Sequence, residues 1–131
     1  MRTISLILTL TILAASSVSC QKKTCKDFKV GLFESPDKTV SDIKIIRNDS
    51  VQIETSEKRD IKDTYNIYWK SDCEYFLVLK ETSNPQKNLL TYKDTLRVSI
   101  SAIEENTYQY TALLKGQQFV GDLKQIKETV E

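Results

Sequence analysis

The sequence predicts an all-β fold: an antiparallel meander of about eight short strands, closed or nearly closed into a barrel. Three observations carry this. Apolar and polar residues alternate with period two in one segment after another. The segments are short and evenly spaced, separated by turn signals such as Asn48-Asp49-Ser50 and Lys115-Gly116. Helix start signals are confined to one stretch of the mature chain, Asn84–Tyr92.

Phe28–Phe33 reads as a first strand. Asp42–Asn48 carries Ile43, Ile45 and Ile46, and Asn48-Asp49-Ser50 turns the chain into Val51-Gln52-Ile53-Glu54, which alternates cleanly. Thr64–Lys70 places Tyr65, Ile67 and Trp69 on one face and Asn66, Tyr68 and Lys70 on the other. Ser71-Asp72 makes a tight connection to Glu74–Lys80, whose apolar run Tyr75-Phe76-Leu77-Val78-Leu79 is expected to be a central strand buried on both faces. Asn84-Pro85, followed by Gln86–Tyr92, has a cap, a proline at the first helical position and paired leucines. These predict a short helix or lid, with a polar loop as the other reading. Thr95–Ala102 directs Leu96, Val98, Ile100 and Ala102 inward, and Thr107–Leu114 groups Tyr108, Tyr110, Ala112 and Leu114. Lys115-Gly116 is a two-residue hairpin turn from which Gln117–Lys124 returns with Phe119. The charged end, Gln125–Glu131, is expected to fray. The alternative architecture is an α+β sheet with the one helix packed on a face.

The first twenty residues have a different character. Arg2 precedes an apolar stretch, Ile4–Leu13, then the small residues Ala14–Ser19, then Cys20. A mainly apolar stretch of about ten residues, interrupted by Thr9 and Thr11, is too short to span a bilayer, which takes about twenty, and the order of charge, apolar core and small-residue exit suits a secretory signal. Ser17-Val18-Ser19-Cys20 is similar to the lipobox of bacterial lipoproteins, with serine where leucine is usual. The expectation is a signal peptide over 1–19, lipidation at Cys20, a short tether over 20–26 and one β domain over 27–131. Each buried methylene is worth about 0.8 kcal/mol, so several acyl chains on Cys20 would hold the protein at the membrane almost permanently. Gln21 rather than aspartate after the cysteine, and Lys22-Lys23 rather than an acidic cluster, point to the outer membrane, facing the periplasm.

Cleavage before Cys20 leaves 112 residues, enough for one modest core, with 18 basic and 18 acidic side chains. A balanced, interleaved charge argues against nucleic-acid binding, which needs a basic stripe. Beyond Cys20, the remaining cysteines are Cys25 and Cys73, an even pair in an oxidising compartment. They form a disulfide or remain two free thiols. A disulfide would bring the Ser71–Cys73 turn to the anchored end, because Cys25 lies within about 17 Å of the membrane surface at full extension. The Asn84–Tyr92 segment and the Lys115-Gly116 turn would then face away.

Three local patterns resemble a family of short, uncharacterised Bacteroidota lipoproteins. They are Cys25-Lys26-Asp27-Phe28-Lys29-Val30-Gly31-Leu32-Phe33, Arg47-Asn48-Asp49-Ser50-Val51-Gln52-Ile53-Glu54 and Trp69-Lys70-Ser71-Asp72-Cys73-Glu74-Tyr75. The likeness runs from about Cys20 to Leu79. Both non-lipid cysteines fall inside its motifs, which supports pairing them. It implies a compartment and no chemistry. The DNA topoisomerase IV label carried by some members does not suit an exported domain of this size.

No catalytic constellation is visible. The chain has no histidine, which excludes a Ser-His-Asp mechanism and leaves two cysteines as a poor zinc set. Asp60 with Asp63, and Glu104 with Glu105, lack calcium-loop spacing and read as turn residues. The expectation is a non-enzymatic protein with no cofactor and no metal, tethered by lipid on Cys20. It would act as an interaction module for an envelope protein. The alternative is a lipocalin-like carrier of a small apolar ligand, with Tyr65, Trp69, Tyr75, Tyr108, Tyr110 and Phe119 lining its cavity. The bland reading of those aromatics is that they fill the core.

Overall fold

Eight strands run in chain order around a closed antiparallel barrel, each bonded to its sequence neighbour and the last to the first. The computed structural model describes residues 21–130. The segment 1–19, expected to be a signal peptide, and Cys20, expected to be lipidated, lie outside the described residues. The strands are β1 (Gly31–Glu34), β2 (Lys44–Arg47), β3 (Val51–Ser56), β4 (Ile61–Ser71), β5 (Glu74–Thr82), β6 (Leu96–Glu104), β7 (Thr107–Leu114) and β8 (Gln117–Lys127). This is the predicted meander, and closure removes its edges.

The helix expectation reduces to a 3-10 turn, Pro85–Lys87. The alternative of a sheet with a packed helix is therefore set aside: among the described residues there is no α-helix. The stretch before β1 is also a 3-10 turn, Cys25–Phe28, rather than the start of a strand. Asp27 accounts for it, since its carboxylate accepts the backbone N–H of Thr24 at 2.8 Å and so caps a turn.

Three further expectations are corrected. The apolar run of β5 is buried on one face only: Tyr75, Leu77 and Leu79 point inward, while Phe76 and Val78 are half-exposed outside. A single-layer barrel has no second layer to cover its outer face. In β6 the alternation breaks at a bulge between Ser101 and Glu104, where Ala102 takes φ 44°. Ala102 is therefore exposed and Ile103 packs on the core in its place. The C-terminal segment does not fray at Gln125. β8 continues to Lys127 because it closes the barrel against β1, and Gln125 is buried, its amide donating to the carbonyls of Asp27 and Val30.

The closing seam depends on Gly31. Its φ is +144°, and a side chain there would collide with the Lys127 carbonyl and the Gln125 amide. Gly31→Ala is expected to cost about 2–3 kcal/mol, read as a lowered urea midpoint with an unchanged slope. A neutral substitution would show that the seam gives way freely. At the far end of the last hairpin, Lys115 and Gly116 both have positive φ, 50° and 77°. This is the conformation a two-residue turn between right-twisted strands requires.

The barrel's two ends differ. At the lower end lie the β2–β3, β4–β5 and β6–β7 turns together with the N-terminal segment. Phe28, fully buried, plugs the lumen there with its ring 5.0 Å from that of Tyr108. Cys25 and Cys73 form a disulfide that ties this plug to the β4–β5 turn. At the upper end lie the β1–β2, β3–β4 and β7–β8 turns and the long 83–95 connection. The outer wall carries Lys44, Lys62, Lys70, Arg97, Gln109 and Asp122, all exposed. Ile46, Tyr68, Leu113 and Val120 are interspersed among them, so the wall is mixed and lacks the continuous apolar band of a membrane-spanning barrel.

Candidate functional site

The interior carries a polar stripe that runs from Arg47 and Gln52, toward the lower end, to Glu54 and Asp63, the latter opposite Thr82 at the upper end of β5. Alternation places Arg47, Gln52, Glu54 and Asp63 inside the barrel, while Ile46 and Ile53 pair on the outer face. Arg47 is fully buried. Its Nε donates to Gln52 Oε1 at 2.9 Å, one terminal nitrogen donates to the Phe28 carbonyl at 2.8 Å, and the other donates to the hydroxyls of Tyr75 and Tyr108 at 3.0 and 3.1 Å. The guanidinium also lies 4.6 Å from the Phe33 ring centroid and 4.9 Å from that of Tyr75. Neutral acceptors and aromatic faces thus replace water around a cation that, among the described residues, no carboxylate touches directly.

Gln52 relays that charge upward: its Nε2 donates to Glu54 Oε1 at 3.0 Å. Glu54 stands directly across from Asp63 in the β3–β4 register, so two carboxylates face each other inside the barrel. Asp63 is buried and accepts the Thr82 hydroxyl on Oδ1. Among the described residues its Oδ2 accepts no hydrogen bond. Burial pushes the Glu54 carboxyl above its usual range, and Asp63 pushes the same way. The Gln52 amide and Arg47 pull back without overcoming them.

Around this pair the barrel is hollow. A small compartment of about 130 Å³ reaches down to Gln52, Tyr75 and Val98. A larger one of about 380 Å³ opens to the upper end between Ile43, Leu90, Leu114 and Phe119. Glu54, Leu77, Leu96, Tyr110 and Ala112 line both, so the two meet at those side chains. The larger volume lies within the range of small-molecule sites.

The 83–95 connection arches over the mouth. Asn88 Nδ2 donates to the Tyr65 hydroxyl at 2.9 Å, and Lys87 Nζ donates to the Arg59 carbonyl at 2.7 Å. Leu90 is tucked in, while Leu89 lines the opening yet is 71% exposed. The rim beside it is braced by Asp42, which accepts Arg59 Nε at 2.9 Å. That contact, with the Ser56 hydroxyl, holds its carboxyl down at about 2.

The six predicted aromatics divide by height. Tyr65, Tyr110 and Phe119 line the upper compartment, and Tyr75 forms part of the floor. Tyr108 is sealed against Phe28 and Phe33, and Trp69 packs on Tyr75 at the lower end with Lys29 over its ring. Those two fill the core and line neither compartment. Asp63, read as a turn residue, is an inward strand residue, whereas Asp60, Glu104 and Glu105 are exposed. The inward set Arg47, Gln52 and Glu54 escaped sequence reasoning. The signal for it was present: Val51-Gln52-Ile53-Glu54 alternates, but only pairing decides which half faces in.

The raised Glu54 carboxyl makes a signed prediction. In the unfolded chain it titrates near 4.5. Below that value both states hold the proton and Glu54 has no effect. As pH climbs through the window up to the native value, the native state binds more protons and stability falls. Glu54→Gln is therefore expected to raise Tm at pH 8 and leave it unchanged at pH 4. A lowered Tm at pH 8 would contradict the assignment.

Comparison of the chain with protein-family models, curated proteins and solved structures finds no match. Its class therefore rests on its own geometry: an eight-stranded up-and-down barrel, plugged below and hollow above.

Proposed function

We propose that this chain is an exported lipoprotein whose barrel holds a small, mainly apolar molecule in its upper compartment. The observation that supports carriage is the space itself, walled by Leu77, Leu96, Ala112, Leu114 and Phe119 and opening to the upper end of the barrel. A barrel whose aromatics only filled a core would be closed at both ends. This favours the carrier over an interaction module without an internal site. The lipobox-like run ending at Cys20 and the Bacteroidota lipoprotein likeness support anchoring, at an outer membrane on the periplasmic side. The disulfide at the lower end suits that arrangement, since the mouth would open away from the membrane. On this reading the protein has no catalytic role.

The test for carriage is a fluorescence titration with N-phenyl-1-naphthylamine, an uncharged apolar dye. Saturable one-to-one enhancement is expected, and Ala112→Phe, which fills the junction of the compartments, is expected to abolish it with the far-UV spectrum unchanged. Dye partitioning into detergent is indifferent to Ala112, so equal signals from the two proteins would overturn the reading. Anchoring is tested by labelling cells with an alkyne palmitate: the wild type is expected to incorporate label and Cys20→Ser to lose it.

A further inference from the structure

We propose that the compartment selects an amphiphile with a cationic amine head, which docks against Glu54 and Asp63, and discriminates against carboxylate amphiphiles. This rests on the carrier reading and specifies its ligand. Three observations carry it. The first is the interior charge. Among the described residues the strands direct one cation, Arg47, and two carboxylates, Glu54 and Asp63, into the lumen; Lys87 joins the lining of the upper compartment from the 83–95 connection, its ammonium donating to the Arg59 carbonyl.

The second is access. Arg47 has four bonds to protein acceptors and lies outside the lining of either compartment, behind Gln52 and Tyr75, to which it is bonded. An anionic head cannot reach it without dismantling that cluster. Glu54, by contrast, lines both compartments, and Asp63 lines the upper one with Oδ2 unbonded among the described residues. Once past Lys87, whose ammonium is bonded to the Arg59 carbonyl at the rim, a donor arriving from the mouth meets these acceptors.

The third is the distribution of apolar surface. Ile43, Leu89, Leu90, Leu114 and Phe119 lie toward the mouth, above the carboxylates. A head-down amine with a chain of about eight carbons sets its charge on the acidic pair and its chain along this wall. In the inverted pose, with a carboxylate head beside Lys87 at the rim, the tail must pass both carboxylates to reach the apolar lining of the smaller compartment, Leu77, Val98 and Leu123, and strips their hydration on the way. Head-down, a carboxylate meets the acidic pair directly, so both orientations count against a fatty acid. Tyr65 and Tyr110, the remaining titratable groups on the wall, keep their protons at neutral pH, since burial raises both hydroxyls.

The experiment displaces bound N-phenyl-1-naphthylamine with octylammonium, octanol and octanoate, matched in length. Octylammonium is expected to compete at a concentration at least tenfold below octanoate, with octanol between. Glu54→Gln is expected to shrink the octylammonium advantage at least threefold while the dye still binds, and Lys87→Gln to leave the order unchanged. Absence of dye binding in the wild type would sink the carrier reading. Dye binding with octanoate competing as well as or better than octylammonium, or an amine preference untouched by Glu54→Gln, would sink this inference alone.

Discussion

Arg47→Met is expected to destabilise the barrel by about 3–5 kcal/mol, the largest single-site loss in the protein. Methionine keeps most of the aliphatic stem, so the effect isolates the guanidinium. Its removal leaves the Phe28 carbonyl, Gln52 Oε1 and the hydroxyls of Tyr75 and Tyr108 without their donor, all on buried residues. It also removes the cation from the faces of Phe33 and Tyr75. Arg47→Lys is expected to recover only part of the loss, because one ammonium cannot span four acceptors spread around a planar fork. Thermal melts decide it: a fall of roughly 15 °C is expected for Arg47→Met in a domain of this size. A fall of under 3 °C would mean that the polar floor contributes little.

Removing the Cys25–Cys73 disulfide is the second large effect. The bridge closes a separation of 48 residues, for which the chain-entropy model gives about 4 kcal/mol. The Cys25→Ser, Cys73→Ser double variant is expected to lose that amount, with a consequence beyond it. The bridge holds the 3-10 turn whose Phe28 both plugs the lumen and accepts from Arg47. Loss of the bridge and loss of Arg47 should therefore be less than additive. Additive losses would show that the plug stays in place without its covalent tie.

The two effects illustrate what the residues disclosed in advance. Period-two alternation located the strands, and the turn chemistry of Asn48-Asp49-Ser50 and Lys115-Gly116 located the hairpins, because both are local properties. The even number of cysteines beyond Cys20 made a Cys25–Cys73 disulfide the expectation, with two free thiols as the alternative, and the disulfide is formed. The orientation of β3 did not follow. Its apolar residues, Val51 and Ile53, face outward because Ile46 and Thr64 flank Ile53 on the outer surface. Burying Gln52 and Glu54 is tolerable only where Arg47 lies within reach. That condition spans strands and is invisible in a window of one. Phe28 could not be read as a plug, since nothing local distinguishes an aromatic that starts a strand from one that closes a lumen. The end of β8 was misjudged for the same reason: Gln125 looks like part of a charged tail until Asp27 and Val30 are placed beside it.

The central claim is that the space above Glu54 is a ligand compartment. Methyl NMR with bound N-phenyl-1-naphthylamine tests it most directly. Intermolecular Overhauser contacts are predicted from the dye to the methyl groups of Leu77, Leu96 and Ala112, which line both compartments, with none to Leu113 and Val120 on the outer wall. Contacts confined to Leu113, Val120 or other outward methyls would contradict the account and make the barrel a surface on which molecules rest.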